Sequence, residues 1–198
     1  MAPRKKLPVL LLPILIILLL GAVVLLLRGR PVTLERILTQ QGYTIVSQTE
    51  TVLTITLSRE QMPEGFPEDV SISQSEGELE LLLLQEGGTS LYLTAFARAD
   101  GASGTLHAVI EPRYALSRDG GQLLLPYQVN EDGSVTAGLS IDSGSILADG
   151  EARPDAVTLA AQAATGRFDL YVDRALFLRS DALTFQIGPF YHLTYVPS

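Results

Sequence analysis

The chain has 198 residues, of which 46% are hydrophobic and 18% are charged, and it contains no cysteine and no tryptophan. The missing cysteines exclude disulfide frameworks, cysteine-based zinc sites and thiol nucleophiles. Both lysines, Lys5 and Lys6, lie at the N-terminus, so the rest of the chain lacks the lysine that a P-loop or a Schiff-base site requires.

A run of 21 uncharged residues, Leu7 to Leu27, follows the basic N-terminal segment. A helix over this run would be about 31 Å long, which matches a hydrocarbon core of about 30 Å. The run is apolar on all sides and is longer than the apolar region of a cleaved signal peptide. We therefore expect a cytoplasmic tail at residues 1–6 and an uncleaved transmembrane helix, a signal anchor, at residues 7–27.

Charges on the two sides of the run indicate its orientation. Three basic residues and the amino terminus precede the run and two arginines follow it, and positive charge favours the cytoplasmic side. Residues 31–198 then form an extracytoplasmic domain, in which nine arginines against 22 acidic residues give a net charge of −13. Because phosphate groups repel such a domain, no nucleic-acid partner is expected. The predicted location is the cell membrane of a bacterial envelope.

One short amphipathic helix is expected between Thr33 and Gly42. Leu34, Ile37 and Leu38 share a face at helical spacing. Thr33 is a suitable N-terminal cap, and Gly42 is a natural C-terminal stop.

From Tyr43 onward the sequence changes to short runs that are rich in β-branched residues and often alternate between apolar and polar side chains, which predicts strands. Asp-Gly and Gly-Gly pairs between many of these runs supply the positive φ that tight turns need. Residues 31–198 are therefore predicted to form a mainly β domain, either sandwich-like or a curved antiparallel sheet. The predicted strands are Tyr43–Ser47, Thr51–Leu57, Val70–Gln74, Glu78–Leu84, Ser90–Arg98, Gly104–Ile110, Gln122–Val129, Ser134–Ile141, Ser145–Ala148, Ala156–Ala163, Arg167–Val172, Ala175–Leu178, Leu183–Ile187 and Tyr191–Val196.

Three segments need a separate interpretation. Arg59–Asp69 is expected to be a loop whose Met62 and Phe66 turn inward. The apolar run Leu81–Leu84 is typical of a strand that is covered on both faces. Ala156–Ala163 contains good helix formers, but the alternation of its apolar residues favours a strand.

No catalytic pattern emerges from the nucleophiles and bases. The two histidines, His107 and His192, lie singly within strand patterns, and no G-x-S-x-G elbow occurs. We interpret both as structural or surface residues, and the protein is not expected to be an enzyme. Scattered aromatic residues and the lack of tryptophan also argue against a carbohydrate site.

Acidic residues cluster at three places, for which a solvated outer face is a simpler explanation than a calcium site. The loop that begins at Gln128 departs from an EF-hand, because it lacks the first aspartate and has Leu139 at its twelfth position. No catalytic, cofactor-binding or metal-binding residue and no cofactor is predicted. The three clusters are Glu64/Glu68/Asp69, Glu76/Glu78/Glu80 and Asp149/Glu151.

Aromatic residues are most frequent in the last part of the chain. They fit the core of the last strands, and the alternative is a hydrophobic groove for a lipid or a peptide. These residues are Phe168, Tyr171, Phe177, Phe185, Phe190, Tyr191 and Tyr195.

The segments 57–62, 67–73 and 78–81 form a succession of loop, strand start and acidic alternating strand. With the N-terminal anchor, this layout resembles membrane-anchored extracytoplasmic β-rich envelope proteins of Gram-positive bacteria, some of which look like lipid-handling folds. The resemblance identifies no functional residue.

Two functions follow as expectations. The first is a single-pass anchored extracytoplasmic protein with a non-enzymatic binding or scaffold domain, whose partners are the membrane and a protein. The alternative is a carrier of lipid or another hydrophobic ligand held close to the bilayer. An empty apolar groove would favour the carrier, whereas a filled core with an exposed sheet edge would favour the binding domain.

Overall fold

The computed structural model describes Leu20 and residues 31–62, 79–99, 104–163 and 165–198. Residues 33–198 form one compact unit. The predicted tail at residues 1–6 and the predicted membrane helix at residues 7–27, apart from Leu20, lie outside the described residues. Among those that are described, no helix is both long and apolar enough to cross a membrane.

The helix α1 (Leu34–Leu38) confirms the amphipathic helix that the sequence predicts, although it is shorter. Thr33 caps it, because its hydroxyl accepts a hydrogen bond from the Arg36 N–H at 3.3 Å. Ile37 is fully buried. Gly42 follows with a φ of 83°, a conformation that glycine adopts without strain.

The first sheet, sheet I, has five antiparallel strands with β12 at its centre. One side of β12 pairs with β1 along nearly its whole length. The other side pairs first with β8 and then with β5. The strands of sheet I are β1 (Tyr43–Ser58), β5 (Gly121–Leu125), β8 (Ser140–Ala148), β9 (Glu151–Ala152) and β12 (Ala182–Pro197).

The second sheet, sheet II, is also antiparallel and has the strand order β10-β11-β4-β3-β2. Its strands are β2 (Leu81–Glu86), β3 (Thr89–Arg98), β4 (Thr105–Tyr114), β10 (Val157–Gln162) and β11 (Phe168–Asp173).

The strands β6 (Tyr127–Val129) and β7 (Val135–Ala137) form a separate hairpin. The side chain of Gln48 on β1 forms hydrogen bonds to the backbone of this hairpin. The Gln48 side-chain amide accepts a hydrogen bond from the Val129 N–H at 2.9 Å and donates one to the Val129 carbonyl at 3.3 Å. Within the hairpin loop, Asp132 accepts hydrogen bonds from the hydroxyl and the N–H of Ser134. These bonds hold the pKa of the Asp132 carboxyl below its ordinary value.

Inward side chains of both sheets form one hydrophobic core. In β1, for example, buried Leu53, Ile55 and Leu57 alternate with exposed threonines, as expected for a strand with one solvent-facing side. The prediction of a mainly β domain is therefore confirmed, and two sheets around a shared core agree with its sandwich-like form. Core residues come from β1, β3, β4, β11 and β12, among others: Leu53, Ile55, Leu57, Leu91, Leu93, Leu106, Ile110, Phe168, Leu170, Leu183, Phe185 and Ile187.

One predicted strand is wrong: Ala175–Leu178 is not a strand, because residues Arg174–Phe177 form the short helix α2. The Asp173 carboxylate caps this helix by accepting from the Leu176 N–H at 2.8 Å. Phe177 is fully buried and packs edge-on against Phe96, with ring centroids 5.1 Å apart. The apolar side chains that suggested a strand are thus accommodated by a single helical turn.

The expectation that Leu81–Leu84 is covered on both faces is also wrong. These residues belong to β2, which ends the strand order of sheet II, and Leu82 is 42% exposed. The strand interpretation of Ala156–Ala163 is confirmed by β10, and the inward position of Met62 is confirmed by its burial. Phe66 and the strand predicted at Val70–Gln74 lie outside the described residues.

Several predicted boundaries also differ. Tyr43–Ser47 and Thr51–Leu57 are parts of the single strand β1, and Leu183–Ile187 and Tyr191–Val196 are parts of the single strand β12. Conversely, Gln122–Val129 is divided at Pro126 between β5 and β6. In the same way, the predicted Ser134–Ile141 is divided between β7 and β8, and Ser145–Ala148 is the end of β8.

Candidate functional site

His107 connects two neighbouring strands of sheet II. Its Nε2 lies 3.1 Å from Asp169 Oδ2, while Asp169 Oδ1 accepts from Arg167 Nε at 3.2 Å. The Tyr171 ring lies beside the imidazole at a centroid distance of 5.7 Å. Since the bond joins β4 to β11, this geometry suits a structural role.

His192 makes a comparable contact between the two sheets. Its Nε2 on β12 lies 3.3 Å from Glu86 Oε1, at the end of β2. Both side chains are partly exposed, at 32% and 44%, so the pair contributes at most about 1 kcal/mol to stability.

Replacing both histidines by glutamine (H107Q and H192Q) should leave the cellular phenotype unchanged. Each change removes one partly exposed pair, worth about 1 kcal/mol or less, so the melting temperature should fall by only a few degrees. Thermal melting by circular dichroism and a phenotypic assay of the double variant measure the two effects. Loss of function in a variant that remains folded would contradict the structural interpretation of the histidines.

Three acidic side chains from the predicted clusters have partners within the domain: Glu80, Asp149 and Glu151, which accepts a hydrogen bond from Arg153 Nη2 at 2.6 Å. Glu80 accepts from Arg113 Nη2 at 2.7 Å, and this hydrogen bond holds the pKa of the Glu80 carboxyl below its ordinary value. Asp149 accepts from the backbone N–H groups of Asp181 and Ala182. No three histidine, aspartate or glutamate side chains among the described residues come together as metal ligands. The remaining members of the first two clusters lie outside the described residues: Glu64, Glu68, Asp69, Glu76 and Glu78.

Most of the C-terminal aromatic side chains fill the core. Phe168 and Phe190 pack edge to face across the two sheets, with centroids 6.0 Å apart. Tyr171 is 45% exposed and Tyr191 is half-buried. The core interpretation is therefore confirmed for the five residues that are buried: Phe168, Phe177, Phe185, Phe190 and Tyr195.

An open depression of about 260 Å³ lies on the outer face of sheet I, the face that points away from the core. It forms where the register between β1 and β12 shifts, so that Val52 lies opposite both Gly188 and Pro189. A bulge of this kind redirects side chains locally. The lining residues come from β1, β8 and β12: Glu50, Val52, Ser140, Asp142, Gln186, Gly188 and Pro189.

Gly188 gives the depression its depth, because it has no side chain and is itself buried. A Cβ atom at this position would lie 3.1 Å from Val52 Cγ2 and 3.3 Å from the Thr51 carbonyl oxygen. The two strands therefore approach each other more closely than a larger residue would allow. The resulting floor is formed by Val52, which is 55% exposed, and by Pro189.

Two carboxylates, Glu50 and Asp142, are exposed in the lining of this floor. Asp142 Oδ1 accepts from the Gly144 N–H at 3.0 Å. Ser145 fixes the same part of β8, since its hydroxyl donates to the Asp142 carbonyl at 2.6 Å and accepts from the Gln186 N–H at 2.7 Å. Among the residues that the structure describes, no arginine or lysine lines the depression, which there combines an apolar surface with two exposed carboxylates.

The sequence alone did not reveal this site. Glu50 and Asp142 are far apart along the chain, and they line one depression only because β1 and β8 flank β12. The available signal was Gly188-Pro189 inside an otherwise strand-like segment, since glycine and proline within a strand often mark a bulge. The sequence predicted two separate strands, Leu183–Ile187 and Tyr191–Val196, on either side of that pair, and this division concealed the bulge.

Comparison of the chain with protein-family models, with curated proteins and with solved structures gave no match. The resemblance to Gram-positive envelope proteins accordingly stays a prediction.

Proposed function

We propose that the protein is a single-pass, membrane-anchored extracytoplasmic protein whose β domain is a non-enzymatic binding module. The proposed binding surface is the outer face of sheet I. The observation that carries this proposal is the depression at Gly188, which combines exposed Val52 with the exposed carboxylates of Glu50 and Asp142. Contiguous apolar surface that is rimmed by polar groups is characteristic of interaction sites.

The distribution of aromatic residues supports binding at the surface over transport of a lipid. The carrier alternative required the C-terminal aromatic residues to line a groove. Phe168, Phe185 and Phe190 are instead fully buried and belong to the one core cluster. These rings fill the core and do not form a groove wall.

The edge of sheet I offers a second element for recognition. β1 pairs with β12 along one side, and no strand among the described residues pairs with its other side. Backbone groups along such an edge bind extended polypeptides by adding a strand. Val46 and Val52, each 55% exposed, are side chains that an added segment would contact.

The anchor and its orientation are supported by the sequence, through the uncharged run at residues 7–27 and the basic residues that precede it. Protease added to intact cells should digest the β domain and leave a tag at the N-terminus protected. Immunoblots against tags at both termini measure this. A β domain that is digested only after lysis would contradict the orientation.

The binding surface itself is tested by a photo-crosslinking amino acid at position 52 of the full chain in cells. We expect one discrete adduct, because Val52 lies on the floor of the depression. The matched control places the same amino acid at Thr158, which is exposed on β10 of sheet II and should give no adduct. Equal labelling at both positions, or none at position 52, would contradict the proposed function.

A further inference from the structure

We draw no further inference here: the strongest candidate, the edge of β1 in sheet I that no strand among the described residues pairs with and that carries the exposed Val46 and Val52, supports no proposal, because nothing in the structure shows what covers it.

Discussion

Removal of residues 183–198 should unfold the entire β domain. The deleted segment is nearly all of β12, which pairs with β1 on one side and with β8 and β5 on the other. It also removes six buried apolar side chains, each worth about 1.5–3 kcal/mol, from a domain whose total stability is about 5–15 kcal/mol. These side chains are Leu183, Phe185, Ile187, Phe190, Leu193 and Tyr195.

The measurement is a thermal melt by circular dichroism of the full chain in detergent, compared with a chain that ends at Ala182. A chain that ends at Val196 is the matched control. It loses only exposed Pro197 and Ser198, together with the Ser198 bonds to Thr44 and Gly42. This control should melt cooperatively within a few degrees of the full chain. A similar melt for the chain ending at Ala182 would mean that the segment is a peripheral tail, and its aromatic residues would then be better explained as a docking site.

The sequence predicted those elements whose local signals agree with their tertiary surroundings. In α1, the Thr33 cap and the spacing of Leu34 and Ile37 match the capped helix that buries Ile37. In β1, the alternation of leucine and isoleucine with threonine matches the burial pattern. Local pattern and burial coincide in these elements, because each presents one face to the core.

The predictions were wrong for segments whose burial or secondary structure depends on tertiary contacts. Nothing in the run Leu81–Leu84 shows whether it is a central or an edge strand, because that depends on the order of strands in sheet II. The short helix α2 follows an aspartate cap at Asp173, which was missed because the surrounding residues favour strands. A single turn has too few residues to show helical periodicity.

The candidate site was unpredictable for a related reason. Its floor and its two carboxylates come from three strands, and the depression exists because Gly188 and Pro189 together face Val52. Sequence spacing contains no information on such pairing between distant strands. The sequence did support a surface site indirectly, since it assigned the C-terminal aromatic residues to the core.

Phe190→Ala should be among the most destabilising single substitutions in the domain, with an expected cost of about 3–5 kcal/mol. Phe190 is fully buried and follows Pro189 directly, so its ring points into the core behind the depression. It packs edge to face on Phe168 of sheet II at 6.0 Å, an arrangement worth about 0.5–1.5 kcal/mol beyond the buried area. Removing the ring leaves a cavity between the sheets.

Urea unfolding of the full chain in detergent, followed by circular dichroism, measures the free energy of unfolding of each variant. Tyr171→Ala is the matched control, because Tyr171 is an aromatic residue of the same region that is 45% exposed. Its loss should cost about 1 kcal/mol or less. The double variant with Phe168→Ala should lose less stability than the two single variants together, because the first substitution already breaks the ring contact. A cost below about 1 kcal/mol for Phe190→Ala would contradict the filled core, and with it the argument that this domain binds partners at its surface and carries no ligand between its sheets.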